Sequence, residues 1–132
     1  MHRYLTLITL SLLLCHSALA GDSPAIEKMV AEGMALKDQG KFSDAIQRFE
    51  TALKKSPKSE IALIGLGRTY GAQRAYKKAE KTFLRAIKAH PRSLAAHRYL
   101  SLTYMGTQKM AKAEKIAKKA AKLAPKDWET LH

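Results

Sequence analysis

Apolar and polar residues alternate along the chain in two patterns that follow one another. In the first pattern, apolar or small residues stand at positions i, i+3, i+4 and i+7, which places them on one face of a helix. The second pattern is a lysine-rich amphipathic stretch that ends at a proline, which cannot continue a helix. The first pattern covers residues 26–40, 60–74 and 94–108, and the second covers residues 42–57, 76–91 and 110–125. The alternation predicts pairs of helices and therefore an all-α fold.

The two patterns together repeat at an interval of 34 residues. Residues 76–91 read YKKAEKTFLRAIKAHP and residues 110–125 read MAKAEKIAKKAAKLAP, which are nearly the same sequence. Ser23, Ser59 and Ser93 stand before the first helix of each pair, where a hydroxyl can accept a hydrogen bond from a free backbone N–H. Because the connections within each pair are short, we expect the paired helices to be antiparallel neighbours.

A 34-residue period built from helix, turn and helix resembles the tetratricopeptide repeat. Three positions of that family's pattern can be located in every copy, and only Ala117 in the third copy departs from it. They carry Gly33, Gly67 and Ser101, then Ala45, Ala79 and Ala113, and finally Phe49, Phe83 and Ala117. The resemblance implies a right-handed α-solenoid with repeats at 26–59, 60–93 and 94–127, a lead-in at 21–25 and a short tail at 128–132.

The matched positions also predict how the repeats pack. We expect Gly33 against Ala45, and Gly67 against Ala79, to let two helix backbones approach closely. The rings of Phe49 and Phe83 should fill the space between successive repeats. Ala117 takes the place of the ring in the third repeat, so we expect this repeat to be the most loosely packed. Its outer end would be covered by the tryptophan and leucine of the tail, by a partner, or by self-association with a second copy.

The first 20 residues differ in character from the rest of the chain. Arg3 gives a positive start, residues 4–14 form an apolar run, and Ala20 closes a small-x-small site. These features predict a secretory signal peptide and a protein exported to the periplasm or the medium. An uncleaved anchor is the alternative, and a lipoprotein signal is disfavoured because Leu14 directly precedes Cys15. Cleavage removes that only cysteine, so no disulfide could form in the mature chain.

The chain is strongly basic and carries no recognisable catalytic motif. Twenty-four Lys and Arg against eleven Asp and Glu give a formal net charge of +13, which predicts attraction to anionic surfaces. The sequence contains no HExxH motif and no Gly-rich phosphate loop. His97 is interpreted as a residue at the edge of the core, and Glu80 and Glu114 as outward-facing partners of lysines on the same helix. We therefore expect a non-catalytic protein without a cofactor or a metal ion.

The resemblance implies a concave groove, lined by the first helix of each repeat, that receives a segment of a protein partner. The groove positions in this chain are Val30, Met34, Lys37, Ile61, Ile64, Arg68, Arg98, Tyr99, Leu102 and Met105. Arg68 and Arg98 could bind a carboxylate, because a guanidinium offers a bidentate fork. The clamp that some family members use for a terminal carboxylate needs asparagines, and this sequence has none. The alternative is that these are ordinary solvent-facing residues.

A basic stripe on the outer face is the second candidate surface. It has the spacing i, i+3, i+7 and i+10 and consists of Lys78, Lys81, Arg85, Lys88, Lys112, Lys115, Lys119 and Lys122. The first repeat does not share the stripe. The stripe is either a solvated face that keeps the protein soluble or a contact surface for anionic lipid, polysaccharide or an acidic protein.

These features favour a protein-binding adaptor of the cell envelope that uses the concave groove. An electrostatic binder of anionic surfaces, such as a membrane or a polysaccharide, is the alternative, with the basic stripe as its contact. Nucleic acid is a weaker candidate, because the predicted export separates the protein from it. Stacking on single strands also needs aromatic side chains, which the stripe itself does not contain.

Overall fold

The computed structural model describes residues 21–124, which form six α-helices and no strand. The helices are α1 Pro24–Asp38, α2 Phe42–Lys55, α3 Glu60–Ala72, α4 Tyr76–Ala89, α5 Leu94–Gly106 and α6 Met110–Leu123. They pair as hairpins α1–α2, α3–α4 and α5–α6, numbered 1 to 3, so the predicted all-α helical repeat fold is confirmed. The predicted signal peptide at 1–20 and the tail at 128–132, with Trp128 and Leu131, lie outside the described residues.

The hairpins stack so that one set of helices is closer together than the other. Helix α1 packs on α3, and α3 packs on α5. In contrast, no Cα of α2 lies within 8 Å of a Cα of α4, and the same is true of α4 and α6. The inner helices α1, α3 and α5 therefore form a closely packed layer, while the outer helices α2, α4 and α6 diverge. The stack consequently has a concave inner face and a convex outer face.

Serine caps begin the inner helices, as predicted. The hydroxyls of Ser23, Ser59 and Ser93 each accept a hydrogen bond from the backbone N–H three residues later, at 3.5, 3.3 and 3.1 Å. The lead-in adds a contact that the sequence pattern does not indicate. The carboxylate of Asp22 accepts hydrogen bonds from the hydroxyls of Ser59 at 2.6 Å and Ser56 at 3.0 Å, which ties the start of hairpin 1 to the start of hairpin 2.

The three hairpin turns share one backbone geometry. Gly40, Arg74 and Gln108 stand at equivalent positions and have φ angles of +76°, +58° and +60°. Only glycine adopts this left-handed region freely, and a residue with a side chain there costs roughly 1 kcal/mol. The next residue closes each turn; in hairpin 2, the N–H of Ala75 donates to the carbonyl of Tyr70 at 2.8 Å. The hydrogen-bonded turn thus holds non-glycine residues in the conformation that Gly40 takes readily.

Phe49 is the central residue of the seam between hairpins 1 and 2. Its side chain is fully buried, and its ring lies between Gly33 of α1 and Gly65 of α3. A Cβ on Gly33 would lie 2.8 Å from this ring, and one on Gly65 would be closer still. The atoms nearest to a side chain built at Gly33 thus belong to the ring of Phe49. The two glycines are required because an aromatic ring occupies the space that their side chains would fill.

In the seam between hairpins 2 and 3 a phenylalanine again packs against a glycine, but a tyrosine replaces the second glycine. Phe83, which is 2% exposed, packs against Gly67. Tyr99 occupies the place of the second glycine, and its ring stacks on Phe83 with centroids 5.8 Å apart and planes at 15°. In hairpin 3 the residue equivalent to Phe49 and Phe83 is Ala117, which is exposed. Two alanines are the only buried residues of α6. Hairpin 3 therefore buries less apolar surface in its outer helix.

Candidate functional site

A cleft of about 330 Å³ opens on the concave face. It is lined by Lys37, Gly67, Arg68, Gly71, Tyr76, Phe83, Tyr99, Leu102 and Thr103. The cleft begins at the end of α1, crosses α3 and reaches α5, so one ligand could touch all three hairpins. Gly67 and Gly71 stand one helical turn apart on α3, and a Cβ on Gly71 would meet no atom within 4 Å. The cleft is open above this glycine.

A stack of three side chains fixes the wall of the cleft. The guanidinium carbon of Arg68 lies 5.1 Å from the centre of the Tyr99 ring, which is itself stacked on Phe83. A guanidinium over an aromatic face is attracted by the ring quadrupole, and stacking on the buried ring of Phe83 favours this orientation of Tyr99. Among the described residues Arg68 forms no ion pair. The stack therefore presents a positioned guanidinium whose N–H groups are available to an incoming carboxylate.

Lys37 adds a second cation at the α1 end of the cleft. Its side chain is 14% exposed and forms an ion pair with the carboxylate of Asp38. A hydrogen bond from Lys37, and then its charge, hold the pKa of Asp38 below the ordinary value, and the charge of Arg68 acts in the same direction. The single negative charge of Asp38 balances only one of the two cations, Lys37 and Arg68. The cleft consequently keeps a positive potential that favours anionic ligands.

Four of the ten groove positions predicted from sequence line this cleft: Lys37, Arg68, Tyr99 and Leu102. The groove prediction did not include the other five lining residues: Gly67, Gly71, Tyr76, Phe83 and Thr103. Tyr76 is the first residue of an outer helix, and the family pattern assigns the groove to inner helices only. The pair Gly67 and Gly71, at i and i+4 within α3, is the one sequence signal that could have indicated an open floor in the concave cleft.

The other six predicted groove residues do not line this cleft. Val30 is 8% exposed and belongs to the core. Two more pack half-buried against the same core: Met34 and Ile64. Ile61 lines a different cleft beside the lead-in, and Arg98 and Met105 are exposed but do not line the concave cleft. The concave cleft is therefore narrower than the predicted groove and centred on hairpins 2 and 3.

All eight residues of the predicted basic stripe are exposed on the outer helices. Three of them, Lys78, Lys81 and Arg85, line a second cleft that lies between α2 and α4. Arg85 donates a hydrogen bond through Nη2 to the carbonyl of Pro57 at 2.8 Å, so it also joins hairpin 2 to the connection that precedes it. The stripe is thus partly anchored to the fold and is not simply a row of freely moving side chains.

Glu80 does not have the predicted role of an outward-facing residue paired within its own helix. Its side chain is 21% exposed, and its Oε2 accepts a hydrogen bond from Lys109 Nζ at 3.1 Å across the seam between hairpins 2 and 3. Burial raises the pKa of Glu80, but hydrogen bonds from Lys109 and Tyr104 and nearby lysine charges outweigh it, so the pKa is lowered. Glu114 is 68% exposed and pairs with Lys118 at i, i+4 over 2.7 Å, as predicted.

We expect Glu80→Gln to lower the free energy of unfolding by up to about 1 kcal/mol at neutral pH, the usual limit for a partly exposed ion pair. Because the pKa of Glu80 is lower in the folded state, its ionised form stabilises the fold above the unfolded pKa of about 4.5. That stabilisation is lost as the pH falls through the folded value. Urea denaturation should therefore show a difference between wild type and variant that shrinks on acidification. Glu114→Gln is the control, and an equal loss in both variants would contradict this assignment.

His97 has the predicted core position. It is 4% exposed, and its Nδ1 lies 2.8 Å from the carbonyl oxygen of Ser93. Within residues 21–124, no group of three or more His, Cys, Asp or Glu side chains is arranged to hold a metal ion. None of the six described helices combines the length and the hydropathy needed to cross a membrane.

The sequence profile of the tetratricopeptide repeat matches residues 30–91 and, separately, residues 64–127. The two matches together cover more than half of the chain, and each extends over neighbouring hairpins. The chain therefore belongs to the tetratricopeptide repeat family. Among curated proteins, none matches the chain in sequence.

Several solved structures share the fold. The tetratricopeptide domain of Sgt2 from Aspergillus fumigatus has a TM-score of 0.74 at 23% identity, covering 78% of this chain and 68% of that one. The type III secretion translocator chaperone SycD of Yersinia enterocolitica has a TM-score of 0.74 at 17% identity, covering 83% and 84%. The second such domain of Spaghetti (RPAP3), bound to the HSP90 peptide SRMEEVD, has a TM-score of 0.70 at 16% identity, covering 75% and 92%. At these identities the likeness shows the fold alone.

Proposed function

We propose that this protein is an exported, non-catalytic adaptor that binds an acidic segment of a partner protein in the concave cleft. The observation that carries the proposal is the stack of Arg68 on Tyr99 at the edge of an open cleft. A guanidinium held in place loses little freedom when it binds a carboxylate, so its hydrogen bonds contribute more to affinity. The family fold supports the adaptor role, because stacked hairpins present an extended surface to a partner.

The lining of the cleft defines the chemistry of the segment. A carboxylate of the partner would accept hydrogen bonds from Arg68, with Lys37 close enough along the same cleft to add a second cation. An apolar side chain next to that carboxylate would pack on Leu102, which is 56% exposed, and on the ring of Tyr99. Thr103 lies along the same wall, and its hydroxyl donates a hydrogen bond to the carbonyl of Tyr99 at 2.8 Å. The preferred ligand is therefore an extended segment with an acidic residue beside an apolar one.

A peptide of related chemistry occupies a structural neighbour. The peptide SRMEEVD bound to the second Spaghetti domain has three acidic residues and one valine in its last four letters. The present chain has no asparagine for the family's terminal-carboxylate clamp, so we propose that it binds a side-chain carboxylate instead. Export to the cell envelope is proposed from the signal-like residues 1–20 alone.

Photo-crosslinking in the source cells tests both parts of the proposal. A benzoylphenylalanine in place of Leu102 should give one discrete adduct in the envelope fraction, attached to an acidic segment of a single protein. The adaptor chain in that adduct should begin at Gly21 by mass. The same probe in place of Lys28, which is exposed on α1 away from the cleft, is the control. Equal adducts from both positions, or an adduct found only in the cytosol, would count against the proposal.

A further inference from the structure

The second cleft lies on the convex face between α2 and α4 and has a volume of about 730 Å³. It exists because these helices diverge while α1 and α3 stay packed together. Its floor is apolar and recessed: Leu53 and Leu66 are each 6% exposed, and Tyr70 is half-buried beside them. Its rim carries four cations: Lys54, Lys78, Lys81 and Arg85. Glu50 is the one acidic residue among its lining residues.

Two of the rim cations are held by contacts within the protein. The Nζ of Lys78 lies 5.6 Å from the centre of the Tyr70 ring, and Arg85 is hydrogen bonded to the carbonyl of Pro57. The other two, Lys54 and Lys81, are exposed and form no ion pair among the described residues. The rim thus has two positioned charges and two adaptable ones, and all of them surround an apolar floor.

We propose that this convex cleft binds an amphipathic helix of a partner protein whose apolar stripe is flanked by acidic residues. The first and last cations on α4, Lys78 and Arg85, stand seven positions apart, which is about 10 Å along the helix. A single anionic head group cannot meet charges spread over that length, whereas carboxylates one helical turn apart can. The partner's apolar stripe would cover the floor, as in other complexes in which a helix lies in a groove.

The shape of the cleft argues against the other anionic ligands. The leucines of the floor lie below the charged rim, so a flat bilayer surface would touch the lysines without reaching the leucines. Polysaccharides and nucleic acid backbones have charge but no apolar ridge to fill the floor. A helix is both ridge-shaped and able to carry the two kinds of side chain on one face.

The arrangement recurs one repeat later along the chain. The residues equivalent to the rim are Lys88, Lys112, Lys115 and Lys119. Lys112 Nζ lies 5.7 Å from the Tyr104 ring, just as Lys78 lies over Tyr70. Leu84, which is 44% exposed, replaces Glu50 at the equivalent place. The nearly identical segments of the sequence therefore repeat a cation and aromatic arrangement as well as a fold.

Fluorescence anisotropy with a designed peptide tests the proposal. The probe is a helical peptide of about 15 residues, or about four turns, with leucines on one face and glutamates flanking them. It should bind the full chain, and Lys54→Glu combined with Lys81→Glu should weaken binding at least about tenfold, because attraction becomes repulsion. Lys28→Glu combined with Lys77→Glu makes the same charge change outside the cleft and should have little effect. If charge reversal impairs folding, Lys54→Gln combined with Lys81→Gln is the second variant to test.

Each alternative has a distinct outcome. Equal weakening by the control pair would show attraction to net charge only, and undiminished binding of a peptide with serine in place of leucine would show that the floor is unused. Binding of phosphatidylglycerol vesicles that depends on Lys54 and Lys81, without binding of the peptide, would show a lipid surface instead. Any of these results overturns the proposal. Arg68→Ala should leave this peptide's affinity unchanged, so the test is independent of the concave cleft.

Discussion

Phe49→Ala should lower the free energy of unfolding by about 3 to 5 kcal/mol, the range for a large aromatic side chain removed from a packed core. Phe49 is fully buried, and it joins α2 to both α1 and α3. The residues that face its ring, Gly33 and Gly65, have no side chains that could move into the cavity. The surroundings can therefore collapse only by moving helices, so the cost should lie in the upper part of that range.

Urea denaturation of the full chain, followed by circular dichroism, measures this effect. Leu84→Ala is the matched control, because Leu84 is 44% exposed and its removal leaves no buried cavity. The control should change the free energy of unfolding by less than about 1 kcal/mol. A loss of similar size in both variants would show that the seam between hairpins 1 and 2 is not held by this ring. Phe49→Ala should also bind the partner segment more weakly than wild type, because loosening α1 moves Lys37 relative to Arg68.

Features that depend on short stretches of sequence could be predicted. The period of 34 residues, the helix pairs and the three serine caps each follow from the spacing of residues along one or two helices. Phe49 and Phe83 were also expected between repeats, because the family pattern specifies a large residue there. The local pattern of apolar positions thus determines which helices form and in what order they stack.

Contacts between hairpins could not be predicted from such patterns. The ion pair of Glu80 with Lys109 joins residues 29 positions apart, so the spacing of residues within one helix does not indicate it. Gly65 stands among other small residues of α3, and only the position of the Phe49 ring shows why a side chain is excluded there. These features depend on the distance between neighbouring helices, which periodicity does not specify.

The groove prediction shows the same limit. The fifth position of the repeat carries Val30, Ile64 and Arg98, which are buried, half-buried and exposed respectively. The family pattern assigns these residues one role, but their depth depends on what packs beside each hairpin. Tyr76 reaches the concave cleft from the start of an outer helix, where the pattern places no groove residue. Matching positions to a family therefore named four of the residues that line this cleft, and its other six positions lie elsewhere.

Arg68→Ala should weaken binding of the partner segment by about 10- to 100-fold, which corresponds to about 1.4 to 2.7 kcal/mol. The substitution removes the guanidinium that the Tyr99 ring holds in position, and with it a charge-assisted hydrogen bond to the partner's carboxylate. Arg98→Ala removes the same side chain from the next inner helix, outside the concave cleft. It should have a much smaller effect, which makes it a control for net charge.

Isothermal titration of the crosslinked segment, prepared as a synthetic peptide, into wild type, Arg68→Ala and Arg98→Ala tests the central claim most directly. We expect the peptide to bind wild type, to bind Arg68→Ala at least about tenfold more weakly, and to bind Arg98→Ala almost as tightly as wild type. Equal affinities for Arg68→Ala and wild type, or equal losses in the two variants, would contradict the claim that the concave cleft recognises an acidic segment through Arg68.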